Sequence, residues 1–195
     1  MKKFSLTLLV MMLLASVSFA QTQVKIAFGM NSSALYPDNA NLKQNAELGW
    51  QMGGSWLMGD KFYVEPGIYY SNFSANLQST DTTLLDYTSK LDMFRIPVFV
   101  GYHILGNASD SFFNLRVFGG PTASFITKVA ESNTFKKDDF SKVLWGVDAG
   151  IGINVWWIFV DIGYEWGLNK VYNHDIYGTA KSKALWVNAG IRINM

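Results

Sequence analysis

The chain of 195 residues has no cysteine, only four prolines and two histidines, and almost no charge imbalance, with 16 Lys and Arg against 15 Asp and Glu. Without thiols there are no disulfides, no thiolate catalysis, no cysteine-held metal and no lipid-modified cysteine. The balanced charge gives no extended basic surface, so nucleic acid is not an expected partner. Beyond residue 20 no apolar run reaches the ~20 residues that a membrane-spanning helix needs. No cofactor motif and no metal-ligand spacing stand out either, and none is expected.

What is present begins with the N-terminus. Lys2 and Lys3 precede an apolar run from Leu6 to Leu14, followed by the small residues Ala15, Ser16, Ser18 and Ala20. That order of charge, apolar core and small residues predicts a secretory signal peptide over residues 1–20, cut after Ala20, with residues 21–195 as one domain. Loss of Lys2 and Lys3 takes the basic count from 16 to 14 against 15 acids, close to neutral.

The remaining chain is rich in aromatics, with 7 Trp, 9 Tyr and 14 Phe, and its apolar residues alternate with polar ones. Period-two alternation is the mark of strands with two unlike faces. Eight such segments are predicted, at 24–33, 46–58, 61–73, 91–103, 112–126, 142–155, 157–168 and 182–195. In the seventh, Ile158, Val160, Ile162, Tyr164 and Trp166 share one face, while Phe159, Asp161, Gly163, Glu165 and Gly167 share the other. In the sixth, Trp145, Val147, Ala149, Ile151 and Ile153 oppose Gly146, Asp148, Gly150, Gly152 and Asn154.

A soluble β-sandwich would alternate too, so glycine decides between the two. Most of the 17 glycines fall on the polar face. A polar face turned to water has no need to shed side chains, whereas the lumen of a small barrel does, because it has room for only a packed layer. The prediction is therefore an all-β, eight-stranded antiparallel up-and-down transmembrane β-barrel. Its apolar face is edged by Trp50, Trp56, Tyr102, Trp145, Trp156, Tyr164 and Trp166 as an interfacial girdle. Closure leaves no unpaired strand edge in hydrocarbon.

Connection lengths are consistent with this. Those after the second, fourth and sixth segments are compact, and those at 34–45, 74–90, 127–141 and 169–181 are longer and polar, as for periplasmic turns and extracellular loops. Pro66, Pro97 and Pro121 fall inside predicted strands, where proline cannot donate to the ladder. Each is expected at a bulge or at the local loss of one hydrogen bond.

The last residues place Asn188 and Gly190 before Ile193 and Met195 at alternate positions, resembling the assembly signal at the end of outer-membrane barrels, with Met195 where an aromatic is usual. Further resemblance lies in the stretch Phe62-Tyr63-Val64-Glu65-Pro66-Gly67-Ile68-Tyr69-Tyr70-Ser71, in Phe94-Arg95-Ile96-Pro97-Val98-Phe99-Val100-Gly101-Tyr102, and in Phe118-Gly119-Gly120-Pro121. With these segments the chain resembles the outer membrane protein beta-barrel domain family, also known as PorT-like or porin-family small barrels. The resemblance implies an outer-membrane location, tolerance of proline within strands, and no catalytic residues. Outer-membrane lipid and the barrel assembly machinery are the partners it implies.

The candidate site is a set of charges on the inward phase: Lys25, Glu47, Glu65, Arg95, Arg116, Asp148, Asp161, Glu165 and Arg192. Charges at membrane depth are tolerated when paired, so the expectation is a lumenal ion-pair network that locks the barrel. A conducting path through exchangeable pairs is the sharper alternative. His103 takes the inward phase near a turn, and His174 stands beside Asp175 in the last loop. A lipid A modifying enzyme would need such a histidine and acid with a serine, but neighbours in extended chain point to opposite sides. The loops carry Tyr36, Leu84, Leu85, Tyr87, Phe135, Phe140, Tyr172 and Tyr177 among polar residues, a composition suited to a protein or glycan ligand and equally to upper barrel positions a few residues beyond the assigned strand ends. Lys136, Lys137, Asp138 and Asp139 read as a solvated turn. The leading expectation is a non-enzymatic barrel acting structurally or through its loops. A narrow porin-like or secretion-associated barrel comes second.

Overall fold

A computed structural model describes residues 22–36, 42–79, 87–108, 112–129, 143–170 and 181–195. These form eight strands: β1 (Thr22–Tyr36), β2 (Leu42–Gly59), β3 (Phe62–Ser79), β4 (Tyr87–Leu105), β5 (Phe113–Val129), β6 (Val143–Val155), β7 (Ile158–Lys170) and β8 (Lys181–Asn194). Each pairs antiparallel with the next, and β8 returns to β1 to close the barrel. No helix among the described residues is long and apolar enough to cross a membrane.

The sidedness is inside out relative to a water-soluble protein. Along β4, Phe94, Ile96, Val98, Val100, Tyr102 and Ile104 are all exposed, while Arg95, Phe99 and His103 between them are buried. At ~3.3 Å per residue and a tilt of ~40°, the run from Phe94 to Ile104 rises roughly 25 Å, the height of an outer-membrane apolar band. Trp56, Tyr102 and Trp156 face outward near the short turns, and Trp50, Trp145 and Trp166 face outward toward the other end.

Glycine makes the interior possible. Cross-strand pairing sets Tyr63 opposite Gly101, Tyr69 opposite Gly53, Arg116 opposite Gly152, Phe118 opposite Gly150 and Trp186 opposite Gly163. A Cβ on Gly101 would lie 2.2 Å from the Tyr63 ring, and one on Gly163 would lie 2.2 Å from the Trp186 ring. Each of these five large inward side chains thus lies beside a neighbour that has none.

One expectation is corrected. Strands β1 to β4 run beyond the predicted ends, so the 34–45 and 74–90 connections shrink to 37–41 and 80–86. The apolar alternation stops where the outer face no longer needs to be greasy, but the hydrogen-bond ladder continues. The prolines take the second of the two placements expected for them, a local loss of pairing with no bulge. The register is the same on both sides of Pro66, Pro97 and Pro121, and pairing is skipped only toward the preceding strand, β2, β3 and β4 respectively. Each proline still pairs on its other side, with Val98, Thr122 and Val147. The absent N–H is the one that would have pointed to the preceding strand. The irregularities lie elsewhere, between Ala46 and Trp50, at Asp92/Met93 and His103/Leu105, and between Trp166 and Lys170.

The short turns are tight. Gly59 adopts φ 122° before Asp60 and Lys61, a conformation natural to glycine. Trp156 takes φ 54°, a strained value for a bulky residue. Its amide donates to the Phe112 carbonyl at 2.7 Å and its carbonyl accepts from Arg192 Nε at 2.6 Å, which holds the turn in place.

Candidate functional site

The lumen is built in layers, each supplied by alternate strands. Lys25, Glu65, Arg116 and Asp161 come from the odd strands β1, β3, β5 and β7, and their charges alternate in sign around the barrel. Lys25 Nζ lies 2.8 Å from Glu65 Oε1 and 2.7 Å from Asp161 Oδ2. Arg116 Nη1 lies 2.9 Å from Glu65 Oε2, and its Nη2 binds Asp161 Oδ1. Both cations touch both carboxylates, so the ring is closed and neutral. No side chain in it is more than 7% exposed. Ser55 Oγ donates to Glu65 at 2.6 Å and Arg116 Nη1 donates to the Tyr63 hydroxyl at 2.9 Å. Lys25 also lies 4.1 Å from the centre of the Phe159 ring.

The next layer toward the loop end is drawn mainly from even strands: Gln51 on β2, Arg95 on β4, Asp148 on β6, and Trp186 and Asn188 on β8. Arg95 Nη1 donates to Gln51 Oε1 at 2.8 Å, and Gln51 Nε2 donates to Asn188 Oδ1 at 2.6 Å. Arg95 Nη2 pairs with Glu165 and reaches Asp148 Oδ1 at 3.4 Å. Asp148 also accepts from Trp186 Nε1 at 2.7 Å and from the Thr122 hydroxyl. Alternate-strand layering is a general consequence of the stagger in a closed barrel. Between the two layers, the cavity bordered by Glu65, Arg95, Arg116, Phe118 and Trp186 measures about 10 Å³. That is room for about one water molecule.

A third element closes the end with the short turns. Ala108, in the β4–β5 connection, is fully buried. Its carbonyl accepts from Gln23 Nε2 and, at 3.2 Å, from Arg192 Nη1, and its amide donates to Asp60 Oδ1 at 3.1 Å. Asn114 Nδ2 donates to the neighbouring Asn107 carbonyl at 3.2 Å.

The structure thus brings together seven of the nine predicted charges in two layers. Arg192 is inward and buried, but it binds the backbone carbonyls of Trp156 and Ala108 instead of entering either layer. Glu47 pairs with Ser33 in the ladder, its side chain lying outside the described residues. His103 is buried against Tyr63, with ring centres 4.9 Å apart. His174, Asp175, residues 136–139, and Leu84, Leu85, Phe135, Phe140, Tyr172 and Tyr177 fall outside the described residues, as do the side chains of Tyr36 and Tyr87. Of the C-terminal residues, Asn188 is buried on Gln51, Gly190 faces inward, and Ile193 and Met195 are exposed on the outer face. Among the described residues no group of His, Asp and Glu is placed to hold a metal. Sequence reasoning missed Gln51, Thr122, Trp186 and Ala108. The first three had only their inward phase to mark them, and Ala108 had no signal.

An apolar outer wall of bilayer height around a closed, charge-filled lumen defines a bacterial outer-membrane β-barrel. The chain belongs to the outer membrane protein beta-barrel domain family, whose profile matches residues 19–173. No curated protein matches the sequence. Among solved structures, the chain resembles the outer membrane protein OprG from Pseudomonas aeruginosa at 16% identity and a TM-score of 0.59, covering 90% of this chain and 95% of that one. It also resembles Ail, the attachment invasion locus protein of Yersinia pestis, in complex with the heparin analogue sucrose octasulfate. There the identity is 15% and the TM-score 0.54, covering 88% of this chain and 99% of that one. Both likenesses concern the fold.

Proposed function

We propose that this protein is a non-enzymatic scaffold of the outer membrane, exported behind a signal peptide over residues 1–20, with its short turns in the periplasm. In this reading the sealed barrel holds its longer connections outside the cell, where they bind a partner, or its body braces the envelope. The supporting observation is the closed ring of Lys25, Glu65, Arg116 and Asp161, in which every charge is already matched within the lumen. A conduction path needs groups that exchange partners with passing ions, and this ring offers none without first being broken. The Arg95 layer and the Ala108 closure add two further obstructions in series. A protein or glycan is the ligand class that suits polar connections with interspersed aromatics. Ail, of the same architecture, was crystallised with a heparin analogue, so a sulfated glycan is a reasonable first probe.

The test is single-channel recording of the refolded protein in a planar bilayer. A flat current is expected. A steady conductance that changes on Arg116→Ala would overturn the sealed scaffold in favour of a narrow transport barrel.

A further inference from the structure

On the outer wall, where β4 meets β5 near the short turns, lies a groove of about 350 Å³. Its sides are Val100 and Val117, and Phe62 and Tyr102 form its lip, with ring centres 4.7 Å apart. The groove exists because Gly119 occupies an outward position on β5, directly opposite Val100, leaving a gap in the apolar wall. At the lip stands a cation. Lys61 Nζ lies 5.4 Å from the centre of the Tyr102 ring and donates to the Gly106 carbonyl at 3.2 Å, which holds it beside that ring at the turn.

An apolar notch with a fixed cation at the membrane boundary matches an amphiphile bearing one phosphate above an acyl chain. We propose that this groove is a specific phospholipid site of the leaflet facing the short turns. One acyl chain lies over Gly119 between Val100 and Val117, and the phosphate meets Lys61 beneath the Phe62–Tyr102 lip. Charge complementarity favours this occupant, since the bond to the Gly106 carbonyl uses one of the three donors of the Lys61 ammonium and its positive charge at the lip matches a phosphate. The lysine ammonium stays in the interface beside the tyrosine ring.

Native mass spectrometry of the detergent-purified full chain tests the site, with palmitoyl-oleoyl phosphatidylglycerol as probe and palmitoyl-oleoyl glycerol, which lacks the phosphate, as comparison. The wild type is expected to retain one phosphatidylglycerol in preference to the diacylglycerol. Lys61→Gln should weaken phosphatidylglycerol binding roughly fivefold, leave the diacylglycerol unchanged, and be rescued by Lys61→Arg. Gly119→Leu, or Val117→Phe should the former fail to fold, fills the notch and should weaken both lipids. Ala189→Leu, which adds three carbons on the outer face of β8 against four in Gly119→Leu, should change neither. Equal retention of both lipids by the wild type, or undiminished retention in the notch-filling variants, means a non-selective lipid shell only and overturns the proposal. Loss of binding in Ala189→Leu as well would do the same.

Discussion

Removing the Arg116 side chain is the sharpest probe of how the lumen is held together. Arg116→Ala takes away the cation that contacts Glu65 at 2.9 Å, Asp161, and the Tyr63 hydroxyl at 2.9 Å, in a side chain with no solvent exposure. Lys25 then faces both carboxylates alone, and the ring passes from neutral to a net charge of minus one. Breaking a buried pair by deleting one partner costs about 3–5 kcal/mol, because the remaining charge is left uncompensated. Loss of the arginine's packing over Tyr63 and Phe118 acts in the same direction. Removing one charge of each sign is a different perturbation. Arg116→Met combined with Asp161→Asn restores neutrality with Lys25 and Glu65 still paired, and replacing a buried ion pair outright is often close to neutral in stability. The double variant should therefore recover at least ~2 kcal/mol relative to Arg116→Met alone, within the range known for residues in direct contact. Urea titration of the barrel refolded in phospholipid vesicles, followed by tryptophan fluorescence and by heat-modifiable gel migration, measures both quantities. A loss below ~1 kcal/mol for Arg116→Ala, or a further loss on adding Asp161→Asn, would refute the closed-ring account.

Two more expectations come from the packing around the ring. Gly163→Ala places a methyl group 2.2 Å from the Trp186 ring and should cost about 1–3 kcal/mol through overpacking, read as a lower urea midpoint in the same vesicles. A midpoint equal to wild type would mean that Trp186 is not held against β7. Because the chain has no native cysteine, Ala108→Cys supplies a single thiol reporter for the closed turn end. That thiol should resist maleimide in the folded barrel and react readily once Gln23→Ala and Arg192→Ala remove the donors to the Ala108 carbonyl. Rapid labelling with both donors intact would show that the segment does not close the barrel.

Much of the site is legible in the sequence, residue by residue. Lys25, Glu65, Arg95, Arg116, Asp148, Asp161 and Glu165 all take the inward phase that alternation assigns them, and Trp186 takes it too despite its size. What alternation cannot give is the height at which each inward residue meets the others. Lys25 and Glu65 are 40 positions apart and Lys25 and Asp161 are 136 apart, on strands that are not neighbours in the sheet, and nothing in their spacing marks them as partners.

The sequence by itself determined the number of strands and the face of each residue. Both follow from a two-residue period, which is a local property of extended backbone. The tertiary structure decided which charges meet, that Arg192 serves backbone carbonyls, that prolines skip pairs without shifting register, and that Ala108 closes one end. Those outcomes depend on the stagger that accumulates from strand to strand until β8 meets β1. Only closure fixes that sum, so no single segment of the chain carries it.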